Sequence, residues 1–142
     1  MAVSVQVSET INRSPAVVFH FYADEHVRNH PRWDPDMHLE QVSPGPIGVG
    51  TVIRRRNTHF ETPVEGTMEV VEFERDRAMG VVIHDGPDET HGRIELEALS
   101  PNQTRMIVSA EFFGLDESVK PRITTLMQRT ARNIKQLVEA ET

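Results

Sequence analysis

Residues 118–141 read SVKPRITTLMQRTARNIKQLVEAE, and within them Val119, Ile123, Leu126, Met127, Ala131, Ile134, Leu137 and Val138 recur at steps of one, three and four. That spacing lays one apolar stripe along an α-helix. Pro121 falls in the first turn, where a missing N–H costs nothing. Lys120, Arg122, Gln128, Arg129, Arg132 and Lys135 lie off the stripe and are expected to face water. A helix of this length with one apolar side must cover another layer, so the fold depends on what precedes it.

What precedes it reads mainly as strands. Val3, Val5 and Val7 alternate with Ser4, Gln6 and Ser8, the period of a half-buried strand running to about Ile11. Ser14 as N-cap and Pro15 at the first helical position predict a short helix over residues 16–23, with Val17, Val18, Phe21 and Tyr22 inward. Asp24 is the expected cap of a second short helix over residues 25–30. Pro31 should end it, because the residue before a proline avoids the α region. Six more strands are expected over residues 38–42, 51–58, 65–74, 78–84, 91–99 and 103–113. Asp85-Gly86-Pro87-Asp88 and Ser100-Pro101-Asn102 carry turn chemistry that favours antiparallel hairpins. The pattern predicts an α+β chain of one domain, residues 1–142: a curved seven-stranded antiparallel sheet, two short helices, and a long C-terminal helix over an internal cavity.

Composition narrows the function. Fifteen Lys and Arg against 22 Asp and Glu give a net charge of −7, which repels a phosphate backbone. The one basic cluster, Arg54-Arg55-Arg56, lies in a strand whose alternation divides it between two faces. No nucleic-acid partner is expected. No stretch approaches the roughly 20 apolar residues of a membrane span, and the N-terminus MAVSVQVSET has no basic segment followed by an apolar run, so a cytoplasmic location is the expectation. With no cysteine, thiolate metal sites, disulfides and cysteine nucleophiles are excluded. The residues suggest no cofactor. A homodimer remains open.

Three stretches carry a resemblance to a known family. They are Ile11-Asn12-Arg13-Ser14-Pro15-Ala16-Val17-Val18-Phe19, Pro31-Arg32-Trp33-Asp34-Pro35-Asp36-Met37, and Glu65-Gly66-Thr67-Met68-Glu69-Val70-Val71-Glu72-Phe73-Glu74. With the order of elements, they make the chain resemble the START-like (SRPBCC) superfamily, and within it the polyketide cyclase/dehydrase and lipid-transport group. The first looks like that group's strand-to-helix junction, the second like its tryptophan-proline segment, the third like a strand leading into the next hairpin. The resemblance covers nearly the whole chain and implies a helix-grip fold around a cavity for a lipid, polyketide or aromatic metabolite. Only some such proteins are enzymes, and fold alone does not decide.

The residues nominate a site with apolar walls and few polar groups. Met68, Met106 and Phe112 alternate with polar neighbours on one sheet face, opposite Ile123 and Met127 of the last helix. Methionines suit an adaptable pocket and plain packing equally. Trp33, the only tryptophan, belongs either at the pocket mouth or in the core. If Ile53 faces inward, so does Arg55, which can anchor a carboxylate, phenolate or enolate, or else pair with Glu69 or Glu95. Phe60 and His84 complete the candidate lining. A small hydrophobic ligand is thus the expected partner.

Chemistry is harder to locate. His26 and His30 have the i, i+4 spacing of a metal pair, but no Glu accompanies them as in H-E-x-x-H, and no metal site is expected. His59, His84 and His91 lie in or beside strands, and a cyclase or dehydratase would need one of them, or a carboxylate such as Glu65, Glu69, Glu72, Asp85 or Glu111, to move a proton. A third reading, a protein-interaction module, requires a filled interior and an exposed apolar patch.

Overall fold

The structure is a computed structural model that describes residues 2–59 and 62–142. Strand β1 (Ala2–Ile11) leads into α1 (Pro15–Phe19), a π-helical turn (His20–Asp24) and α2 (His26–Trp33). Strands β2 (Met37–Gln41), β3 (Val52–Asn57), β4 (Val64–Glu74), β5 (Ala78–Asp85), β6 (Asp88–Ser100) and β7 (Gln103–Phe113) follow, and a 3-10 turn (Glu117–Val119) opens α3 (Lys120–Glu141). The seven strands form one antiparallel sheet in the order β1-β7-β6-β5-β4-β3-β2. β2 to β7 thus form a meander, and β1 closes its far end beside β7. Register shifts between Val70 and Glu72 and between Ala98 and Ser100 add bulges, which bend and coil the sheet. The seven-stranded helix-grip architecture read from the sequence is the architecture observed.

The details around the short helices differ. Ser14 caps α1 as expected, its side-chain oxygen accepting from the Val17 N–H. The α-helix stops at Phe19, however, and the chain continues as a π-turn. Asp24 does not cap α2, because its carboxylate is held by the Arg75 guanidinium at 2.6 Å and by the His20 ring at 3.0 Å. Nor does Pro31 end α2, which runs on to Trp33. The only helical bond Pro31 forfeits is one N–H, and the Asp34 N–H still reaches the His30 carbonyl at 2.9 Å to close the last turn. This extra turn places Trp33 in the core.

The inward face of the sheet alternates as the pleat requires. Val3, Val5 and Val7 share it with Met106, Ile94, Leu96, Met79, Val70, Met68 and Ile53, all buried. The C-terminal half of α3 seals this region with Ala131, Ile134 and Val138.

Candidate functional site

Period-2 alternation settles the triple arginine. Arg55 points inward and is 6% exposed, while Arg54 and Arg56 are exposed on the other face. Its partner is neither Glu69 nor Glu95 but Asp85: Nε donates to Oδ1 at 2.9 Å and an Nη donates to Oδ2 at 3.1 Å. The register explains the reach. Arg55 on β3 lies beside Gly66 on β4, and Gly66 lies beside Asp85 on β5, so the three form one row across the sheet. A side chain at Gly66 would collide with the Asp85 carboxylate and the His84 carbonyl, so only glycine leaves the path open. The bidentate geometry is the strong form of an arginine–carboxylate contact, and it neutralises the arginine inside the fold.

Near Arg55 stands an aromatic cluster built by α2 and the turn before it. Tyr22, His26 and His30 recur every four residues and therefore share one helical face. Trp33, 2% exposed, stacks with Tyr22 (centroids 5.2 Å, planes 6° apart) and with His30 (5.3 Å, 21°). His26 lies edge-on to both Tyr22 and Trp33. Hydrogen bonds join the histidines in series: His26 Nδ1 lies 2.8 Å from the Tyr22 carbonyl, and His30 Nδ1 lies 2.9 Å from His26 Nε2. Burial pushes the His26 imidazole down to about 4, and the Arg55 charge adds to that shift against the opposing Tyr22 hydrogen bond. Burial, then the charges of His26, Arg55 and His59, also holds His30 well below the ordinary histidine range. Both rings are neutral near pH 7. Burial likewise raises the Tyr22 phenol.

A second feature is a gradient of burial along the inward face. Around β1 and the C-terminal half of α3 the apolar side chains are sealed. Toward the other end, Val81, Ile83, Val108, Ala110 and Phe112 on the sheet, with Ile123 and Met127 on α3, are only partly buried, and Leu126 is 38% exposed. The N-terminal half of α3 therefore stands over the sheet without covering it.

The candidate residues divide accordingly. Phe112, Ile123 and Met127 lie together at the half-covered end; Met68 and Met106 face inward but are fully buried; Trp33 belongs to the core cluster. Phe60 lies outside the described residues. His84 is a correction: it faces outward from β5, bonds Glu89 at 3.0 Å and cannot share a lining with Arg55. The pleat gives the inward position to its neighbour Asp85. His91 also points outward, against Glu89 and Phe113. His59 pairs with Asp34 at 3.0 Å and Asp36 at 3.3 Å near the surface. These three have ligand atoms within 4.8 Å of one another, an arrangement the contacts of His59 with the two carboxylates already explain. Sequence reasoning placed Tyr22 only on the inward stripe of the first short helix and treated His26 and His30 only as a metal pair, although the repeat of four with Trp33 beside it marked a shared face.

The model of the polyketide cyclase / dehydrase and lipid transport family matches residues 2–139. The chain belongs to this family. Solved structures share the fold of this family member at low identity. A START superfamily protein from Mycobacterium smegmatis aligns with a TM-score of 0.80 at 14% identity, covering 98% of this chain and 99% of that one. Ara h 8.0201 aligns at 0.78 and 16%, covering 99% and 100%. The Zhui aromatase/cyclase from Streptomyces sp. R1128 aligns at 0.72 and 11%, covering 98% and 94%. No curated protein matches the chain. Among the described residues, no helix of this family member is long and apolar enough to cross a membrane.

Proposed function

We propose that the chain is a cytoplasmic binding protein for a small hydrophobic or aromatic molecule, held between the sheet and the N-terminal half of α3. The supporting observation is that inward apolar groups on β5, β7 and α3 remain partly exposed, whereas those around β1 and at Ala131, Ile134 and Val138 of α3 are sealed. Apolar surface left uncovered beside a complete core is the usual mark of a ligand site. Phe112, Ile123 and Met127 supply the walls in this reading, with Met68 and Met106 behind them and Arg55 with Asp85 at the polar end. A neutral fluorescent probe such as N-phenyl-1-naphthylamine should bind saturably, with about one molecule per chain. Met127→Trp should fill the space and remove that binding while the circular dichroism spectrum stays unchanged. No saturable uptake by the wild-type chain would refute the reading.

The family also includes cyclases and dehydrases, which supports a second reading in which the same space orients a polyketone for proton transfer. His84 faces away and His59 is held by two carboxylates, so neither joins Arg55 around that space. The imidazoles near Arg55 are those of His26 and His30, and His30 is the outer of the two. Turnover of a poly-β-keto substrate that survives His30→Phe and Arg55→Met would dismiss these residues as its carriers.

A further inference from the structure

The histidine series has a direction that its hydrogen bonds fix once both rings are neutral. The Tyr22 carbonyl can only accept, so His26 Nδ1 carries the proton of that bond. In a neutral ring Nε2 is then a lone pair, so the 2.9 Å bond to His30 must be donated by His30 Nδ1–H. The same logic leaves His30 Nε2 as a second lone pair, and both rings are neutral near pH 7. Among the described residues no hydrogen bond reaches His30 Nε2 or the Tyr22 hydroxyl. Neither atom is a sealed, partnerless one, and both side chains are half-buried in a largely apolar cluster. Arg55, whose charge acts on both histidine rings, is itself paired with Asp85.

We infer that His30 Nε2 is the polar recognition atom of the site, accepting a hydrogen bond from the hydroxyl of an uncharged phenol or alcohol, and that the site discriminates against carboxylates. The inference rests on the pocket reading above and specifies its ligand class. A hydroxyl proton matches the fixed lone pair. A carboxylate would meet that lone pair with its own, and would lose water beside an arginine already satisfied. His26 acts as the positioning residue, since its bond from His30 Nδ1–H keeps the lone pair on the outer nitrogen.

Three probes of one shape test this: 2-naphthol, 2-methylnaphthalene and 2-naphthoate, titrated at pH 7.5. The naphthol should bind roughly five- to tenfold more tightly than the methyl compound, the size of one net neutral hydrogen bond, and the naphthoate more weakly than either. His30→Phe keeps the stacking on Trp33, so the methyl compound should bind as before while the preference for naphthol disappears. If none of the three binds the wild type, the pocket reading itself fails. If all bind and His30→Phe leaves the preference intact, only this inference is overturned. Two-bond 1H–15N spectra of the free wild-type protein give an independent readout. Both His26 and His30 should show the Nδ1–H tautomer, and an Nε2–H tautomer at His30 would also overturn the assignment.

Discussion

Arg55 and Asp85 form a nearly closed pair, their side chains 7% and 19% exposed. Removing one partner of such a pair costs more than the pair contributes, because a desolvated charge is left behind. Asp85→Ala should therefore lower the unfolding free energy by about 3 kcal/mol. The double variant Arg55→Met/Asp85→Leu should recover most of that loss, as a double-mutant cycle in urea would show; a double variant as unstable as the single would contradict the account. The inward direction of Arg55 was legible from Ile53 two residues before it. Its partner was not, because the contact joins residues 30 apart across a strand in between. Glu69 and Glu95 were the wrong candidates for a reason the sequence did contain: Glu69 alternates with the inward Met68, and Glu95 with the inward Ile94. Gly66, a glycine inside a strand, was the remaining clue.

At the scale of elements, α2 and α3 were legible to different degrees. The stripe of α3 extends over six turns and outweighs any local signal. In α2 local signals misled, since Asp24 is drawn to Arg75 and Pro31 falls where only one hydrogen bond is at stake. The buried histidines of α2 make stability depend on pH. His26 titrates near the usual 6.5 when unfolded but only at about 4 when folded. Between these values the unfolded chain binds the extra proton, so stability is full above pH 6.5 and declines as pH falls toward 4. The loss should reach about 3 kcal/mol for His26 alone, with His30 adding in the same direction. Urea midpoints between pH 7.5 and 5, above the range where carboxylates titrate, should fall steadily, and His26→Gln should flatten the slope. Along α3, burial predicts a contrast. Ile134→Ala, at a sealed position, should cost about 3 kcal/mol. Ile123→Ala, partly buried, should cost about 1 kcal/mol and instead weaken probe binding. Equal costs at the two positions would mean that the burial gradient has no energetic counterpart.

Over the whole molecule, the polar ties of α3 cluster at one end. The Arg13 guanidinium donates to the carbonyls of Glu139 and Thr142, the Lys135 ammonium to the Thr10 carbonyl, and the Asn12 N–H to the Glu139 carboxylate. Asn133 reaches the Trp33 carbonyl, and Arg32 pairs with Glu141. From Lys120 to Arg129, by contrast, the side-chain bonds among the described residues stay within the helix or its leading turn, as Thr124 to the Lys120 carbonyl and Lys120 to Glu117 show. A helix fixed at one end over a sealed core, and free of cross-links over a half-covered sheet, should open from the free end. Native-state hydrogen exchange should accordingly show amides of residues 132–140 exchanging near the global unfolding limit, and those of residues 123–129 exchanging through smaller local openings. A ligand lodged beneath the free half adds contacts there and nowhere else, so saturating probe should slow exchange in residues 123–129 selectively. Uniform slowing along α3 would reflect general stabilisation by mass action, and would place the bound molecule elsewhere than under its N-terminal turns.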